Sequence, residues 1–137
     1  MRYLKYIVNG LNPKKFYYIS AASIRDSLKK KHPAYDNEKQ IKAAMEWMSY
    51  AQKQNNDGGV SAMYSLFEGW HPSYIETTGY IIPTFLNYAE ISKNISYRRE
   101  AIEMADFELR SQLASGAFPG GGKKDMPIVF NTGQVLF

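Results

Sequence analysis

Apolar and polar positions along this chain fall into four helical stretches, each with its own boundary signals. Asn12-Pro13 reads as a helix start, an N-cap residue followed by proline at the first helical position. Tyr17, Ala21, Ile24 and Leu28 then recur at the spacing of one helix face. His32-Pro33 ends the segment, because the residue before proline is pushed out of the helical region. A second helix is expected from Asp36 or Asn37, where Asn37 with Gln40 resembles a capping box. Its apolar stripe is Ile41, Ala44, Met45, Met48 and Ala51, and the turn signal Asn55-Asn56-Asp57-Gly58-Gly59 closes it.

Residues 60–77 hold no sustained period and are expected to be irregular or only briefly helical. Long connections in a compact helical protein tend to carry function. A third helix is expected after Thr77-Thr78-Gly79, apolar on nearly every side through Ile91, as a helix buried all round would be. Pro83 is tolerable in a first turn, which places the regular start near Tyr80 to Ile82. The fourth helix, from about Ser96 to Leu113, is amphipathic, with Ile102, Ala105, Leu109 and Leu113 as its stripe and Ser115-Gly116 as its stop. A second loop, Ala117 to Phe130, contains Gly120-Gly121-Gly122. Asn131-Thr132-Gly133 then opens onto Gln134-Val135-Leu136-Phe137.

The two halves match each other. Ala43 to Gly58 aligns with Ala101 to Gly116 at an offset of 58, pairing Gln54 with Gln112. Thr78-Gly79-Tyr80-Ile81-Ile82 aligns with Thr132-Gly133-Gln134-Val135-Leu136 at an offset of 54, the difference being loop length. Each unit is thus an amphipathic outer helix, a Gln-x-x-x-Gly corner, a long loop and a Thr-Gly opening to an apolar inner helix. A repeat of this size means stacked supersecondary units. The expected fold is all-α, a single domain over 1–137 with an N-terminal extension at 1–12, a first repeat at 36–95 and an incomplete second at 96–137.

Those elements resemble the α/α-toroid superfamily, which includes the six-hairpin glycosidases and the terpenoid cyclase and prenyltransferase folds. Gln112-x-x-x-Gly116-Ala117-Phe118 is similar to the Gln-Trp repeat of the cyclases, whereas Gln54-x-x-x-Gly58-Gly59-Val60 lacks the aromatic. The stretch from Asp57 through Glu76-Thr77-Thr78-Gly79-Tyr80-Ile81-Ile82-Pro83 to Pro127-Ile128-Val129-Phe130-Asn131-Thr132-Gly133-Gln134 resembles toroid proteins of bacterial polysaccharide gene clusters. The resemblance implies antiparallel helical hairpins in a partial toroid, and a carbohydrate-active protein of polysaccharide metabolism, hydrolase, lyase or epimerase-like. A full toroid of about six hairpins at ~55 residues each would need on the order of 300 residues. Val135-Leu136-Phe137 carries no cap, so a fragment or truncated product is expected, with exposed inner helices driving homo-oligomerisation.

Composition narrows the alternatives. Hydrophobic residues make up 45% of the 137 positions and aromatics 15%, enough for a core and against disorder. There is no Cys, which excludes a disulfide scaffold, a thiolate zinc site and a Cys nucleophile. No apolar run reaches the ~18 residues of a membrane helix, the basic start lacks a signal-peptide core, and a cytoplasmic location is expected. The net charge of +4 divides unevenly: residues 1–42 hold ten Lys/Arg against three Asp/Glu (+7), and residues 43–137 hold seven against ten (−3). Lys29-Lys30-Lys31 fits the solvated last turn of a helix, and no nucleic-acid partner is expected, since such a surface would more naturally combine basic and aromatic residues in one patch.

In toroids the loops entering the inner helices line the central funnel, so the resemblance directs attention to residues 57–78 and 117–132. Glycoside chemistry needs two carboxylates roughly 5 to 9.5 Å apart. Glu76, just before an inner helix, and Asp57, at the preceding corner, are the candidate catalytic pair. Asp-Gly is also common turn chemistry, and an acid in a first turn is favoured by the helix dipole, so both residues have structural readings too. Trp70, His71, Tyr74, Phe118 and Asn131 are the candidate substrate-binding residues, and Tyr64 joins Trp70, Tyr74 and Phe118 as a candidate sugar-stacking ring, with core packing as the structural alternative for the aromatics. No metal-ligand spacing is present, Gly120-Gly121-Gly122-Lys123-Lys124 lacks the phosphate-loop spacing, and no cofactor is expected.

Two other functions compete. The Gln-x-x-x-Gly corners favour a terpenoid cyclase or prenyltransferase-like protein. Against it, the cyclases' Asp-rich run is missing, and so is the Cys of the prenyltransferase zinc site. A non-catalytic oligomerising or binding module is the third reading, because two hairpins cannot enclose a funnel.

Overall fold

A computed structural model describes residues 12–28, 35–66, 68–120 and 123–136. In these, five helices carry the fold: α1 (Pro13–Ser27), α2 (Asn37–Gln52), α3 (Ile75–Ser92), α4 (Ile95–Ser111) and α5 (Val129–Val135). Two small antiparallel ribbons sit in the loops, β1 (Tyr64–Ser65) with β2 (Gly69–Trp70), and β3 (Pro119–Gly120) with β4 (Lys123–Pro127). In the stretch 60–77, expected to be irregular or only briefly helical, the described residues form this first ribbon, extended by a Ser61–Ser73 bridge, before the next helix begins at Ile75. The His32-Pro33 stop and Lys29–Lys31 lie outside the described residues.

Local chemistry sets the helix starts. The Asn12 side chain accepts hydrogen bonds from the Lys14 and Lys15 amides, satisfying donors that the helix itself cannot. At α2 the cap is Asp36, which accepts from the Lys39 amide at 2.8 Å, and Gln40 reaches back to the Tyr35 carbonyl. Asn94 caps α4 through the Ser96 amide, 58 positions after Asp36.

The core is Met45, Ala51, Val60, Phe85, Ala101 and Met104, with Met48, Trp70, Ile81, Ile82, Tyr88 and Tyr97 packed around it. Two stripes differ from expectation. On α2 the buried side is Met45, Ser49, Ala51 and Gln52, while Ile41 is exposed. On α4 it is Glu100, Ala101, Met104 and Glu108, while Ile102 and Leu109 face solvent. The reason is the latch between these helices. Ser49 Oγ donates to Glu100 Oε2 at 2.6 Å, Lys53 Nζ lies 2.8 Å from Glu100 Oε1, and Gln52 Nε2 donates to the Glu100 carbonyl at 3.0 Å. Charge-assisted bonds thus turn a polar side of α4 inward.

Helix α3 also departs from its expected form. It starts at Ile75, so Pro83 lies in its interior and not in its first turn. Proline there forfeits the bond to the carbonyl four residues earlier and crowds it, and that residue is Gly79, the least bulky partner available. Gly79 meets α5 so closely that a Cβ would stand 2.9 Å from the Gln134 carbonyl oxygen. Nor is α3 buried all round: Thr78, Gly79 and Phe85 are buried, and Tyr80, Leu86 and Ile91 are exposed.

The internal repeat is visible bond by bond. Gly58 and Gly116 both take a left-handed conformation, with φ of 87° and 85°. The Val60 amide donates to Thr78 Oγ1 at 3.0 Å, and the Phe118 amide to Thr132 Oγ1 at 2.9 Å. The Tyr74 amide donates to the Val60 carbonyl and the Ile128 amide to the Phe118 carbonyl, both at 3.0 Å. Each Thr hydroxyl in turn donates to the carbonyl of Tyr74 or Ile128. One member of the aligned motif shifts. Gln112 donates to the Gly116 carbonyl, but the equivalent bond to Gly58 comes from Gln52, while Gln54, just past the end of α2, donates back to the Tyr50 carbonyl.

Candidate functional site

The loop between α2 and α3 gathers most of the candidate residues onto one polar frame. Asp57 Oδ1 accepts from the Gly59 amide at 3.0 Å and from Ser73 Oγ at 2.7 Å. Asn55 Nδ2 donates to Ser73 Oγ and to the His71 carbonyl, which also accepts from Ser61 Oγ. These bonds pin the return strand of the ribbon to the corner after α2. Asp57 therefore acts as a turn residue that organises the loop. It also lines an open polar cleft of about 610 Å³ shared with Gln52, Lys53, Glu103, Asp106 and Arg110.

The ribbon carries Trp70 into an aromatic group that includes two rings not singled out above. Its ring centroid lies 5.4 Å from Trp47, 5.7 Å from Tyr50 and 5.0 Å from Tyr64. Trp47 and Tyr50 come from the outward side of α2 and are 56% and 53% exposed, so both keep much of their surface open while packing on Trp70. The signal was present in the sequence as aromatics three apart on α2. Only the ribbon's position makes them part of one surface.

Beside this group His71 Nε2 stands 3.4 Å from Glu68 Oε2, close enough to pair when the ring is protonated. The same nitrogen is buried and makes no hydrogen bond. Among the described residues no group of three or more His, Asp or Glu side chains is placed to hold a metal ion.

The remaining candidates lie at the starts of α3 and α5 and in the loop between α4 and α5. Glu76 is half-buried in the first turn of α3, on the end of the helix that favours an acid. Tyr74 precedes that helix, and its carbonyl accepts from both Thr77 and Thr78 hydroxyls. Phe118 is 2% exposed, so its ring is a core element that offers no face to a ligand in this chain. Asn131 is equally enclosed and donates to the Pro119 carbonyl at 3.0 Å, closing the second loop.

One chemically notable residue was assigned to the polar side of its helix by the sequence pattern. Glu108 is 2% exposed, neither carboxylate oxygen has a hydrogen-bond partner, and burial pushes its pKa up to about 8. The Tyr97 ring packs on Phe85 and Tyr88 across the α3–α4 hairpin. Eleven residues further along α4, roughly 16 Å at helical rise, Glu108 comes level with the opening turns of α3.

No family model matches this chain, and no curated protein or solved structure matches it either.

Proposed function

We propose that the chain is a carbohydrate-binding pair of α/α-toroid hairpins, serving polysaccharide metabolism. The observation that carries this reading is the group of exposed Trp47, Tyr50 and Tyr64 around half-buried Trp70, held together by the ribbon beside Glu68 and His71. Aromatic faces of this kind stack on the apolar faces of sugar rings, and adjacent carboxylate and imidazole groups supply hydroxyl contacts. Glu76 is the carboxylate assigned to the chemistry of a closed ring; Asp57 serves the loop, and any hydrolase, lyase or epimerase-like step needs a second acid. Titrating the protein with a panel of acidic and neutral oligosaccharides, read by Trp fluorescence, tests the reading. Trp70→Ala abolishes the response. Unchanged binding in both Trp70→Ala and Glu76→Gln would remove the assigned site.

A second reading, an oligomerising module, is favoured by a separate observation. Leu86 and Ile91 on α3, and Val129 and Phe130 on α5, leave apolar surface bare along the inner helices. In that reading the inner helices join copies of the chain and the ring is rebuilt by association. The terpenoid-type alternative has only the Gln112–Gly116 corner bond in its favour.

A further inference from the structure

The two units share a backbone plan but differ in what covers it. In the first unit, the corner and the inner-helix opening are covered by the second unit. A Cβ at Gly58 would stand 2.7 Å from the Glu103 carbonyl oxygen of α4, and one at Gly79 would stand 2.9 Å from the Gln134 carbonyl oxygen of α5. Their counterparts in the second unit, Gly116 and Gly133, have nothing within 4 Å. The neighbouring side chains differ in the same way. Thr78 is buried and Ile75 and Ile82 are half-buried, whereas Thr132 is half-buried and Val129 and Leu136 are exposed at the matching positions. Val129, Thr132, Gly133 and Leu136, together with Ile128, line an apolar groove with no charged residue in its wall. The same mating surface is built twice and filled once.

What fills it in the first unit is the opening of the next inner helix, at Gln134 and Val135. Their counterparts at the offset of 54 are Tyr80 and Ile81 of α3. Tyr80 belongs to a stripe with Thr84, Asn87 and Ile91, spaced four, three and four, which is exposed at every position and carries no charge. With 3.6 residues per turn, that stripe lies about a third of a turn round α3 from Gly79. Helix α3 can therefore hold α5 of its own chain on one side and a further inner helix on another.

We infer that the first unit of a second copy docks head to tail on the second unit of this chain, with the Tyr80 stripe of its α3 seated in the Gly133 groove. The inference rests on the oligomerising reading above and specifies which two faces meet. Groove and stripe are different surfaces, so the contact is heterologous. Each docking leaves one groove and one stripe free, and association proceeds until a ring closes or a filament grows.

The chain has no Cys, so single introduced thiols report the contact directly. Gly133→Cys enters open space and Tyr80→Cys replaces an exposed ring, so each keeps the helical circular dichroism of the wild type. Under mild oxidation, a mixture of the two variants should form a disulfide-linked pair several-fold faster than either variant alone. Gly133→Phe fills the groove. Sedimentation at high concentration should show wild-type association and its loss in Gly133→Phe, while both chains unfold at the same urea concentration when diluted to monomers. A wild type that stays monomeric at all concentrations would overturn both this docking and the oligomerising reading. Oligomers in which Gly133→Cys links to itself, or to Ile24→Cys on α1 in place of Tyr80→Cys, would overturn the docking alone. So would association indifferent to Gly133→Phe.

Discussion

Replacing Glu108 by Gln should make the protein more stable in alkaline solution and nearly unchanged in acid. The carboxyl is 2% exposed, both oxygens lack partners, and its pKa stands near 8 against an ordinary 4.5. Below about pH 4.5 the group is protonated in both folded and unfolded chains and costs nothing in ionisation. Between about 4.5 and 8 the unfolded chain has released the proton while the folded chain retains it, so stability falls by up to about 1.4 kcal/mol per pH unit. Above about 8 the folded chain ionises as well and the loss levels off. Taking the whole rise literally gives about 5 kcal/mol. A side chain near a helix end can swing partly into water, and solvent screening reduces the penalty to about 2–3 kcal/mol. Urea unfolding followed by circular dichroism, at pH 5 and pH 9, measures it directly. Glu108→Gln should match the wild type within about 1 kcal/mol at pH 5 and exceed it by about 2–3 kcal/mol at pH 9. All other titrating groups are common to both proteins, so the difference isolates this carboxyl. Parallel pH profiles for the two would refute the reasoning.

Three further outcomes follow from the packing. Gly79→Ala puts a methyl 2.9 Å from the Gln134 carbonyl oxygen and 3.2 Å from Val135, and should cost about 1–3 kcal/mol in thermal or urea unfolding. Gly133→Ala, where nothing lies within 4 Å, should be neutral or stabilising by up to about 1 kcal/mol, and equal effects at the two sites would argue against the α3–α5 contact. Thr78→Val and Thr132→Val should each cost about 1–3 kcal/mol and speed hydrogen exchange at the Val60 and Phe118 amides respectively, as measured by NMR. Trp70→Ala should remove the oligosaccharide response in fluorescence while leaving the α2–α4 latch, and hence cooperative unfolding, in place.

The helical elements and their order were legible where a local signal stands in the sequence: Asn12-Pro13, the start at Asp36 or Asn37, and the corners at Gly58 and Gly116; the cap at Asn94 was not singled out, and the cap of α2 is Asp36 where the capping box was placed on Asn37. The repeat was legible for the same reason, since Thr78 and Thr132 do the same work for the chain. What was not legible depends on neighbours. Period alone chose Ile102 and Leu109 as the buried stripe of α4, because apolar residues count as core in a pattern. The latch through Glu100 chose the opposite side. Pro83 was taken to set the regular start near Tyr80 to Ile82, whereas α3 begins at Ile75 and carries Pro83 inside it. At the candidate site, Trp70 and His71 were legible as unusual loop residues. Trp47 and Tyr50 were visible only as aromatics three apart on α2, and nothing local says that the ribbon joins them to the loop residues.

The repeat also separates residues that the architecture demands from residues that one unit alone carries. Thr78 and Thr132, and Gly58 and Gly116, are paired positions with the same backbone duty, so their identity needs no functional explanation. Elsewhere the units diverge. At the offset of 54, Glu76 corresponds to Phe130, and at the offset of 58, Glu108 corresponds to Tyr50. Tyr50 shows that a residue without a carboxyl can occupy that helical position in this fold. A buried, unpartnered carboxylic acid at the equivalent place destabilises the folded chain wherever it ionises. The divergence therefore runs against stability at Glu108 and leaves large aromatic faces in water at Trp47 and Tyr50. Local packing explains neither choice. Both lie around the loops that lead into the inner helices, and binding experiments are best aimed there.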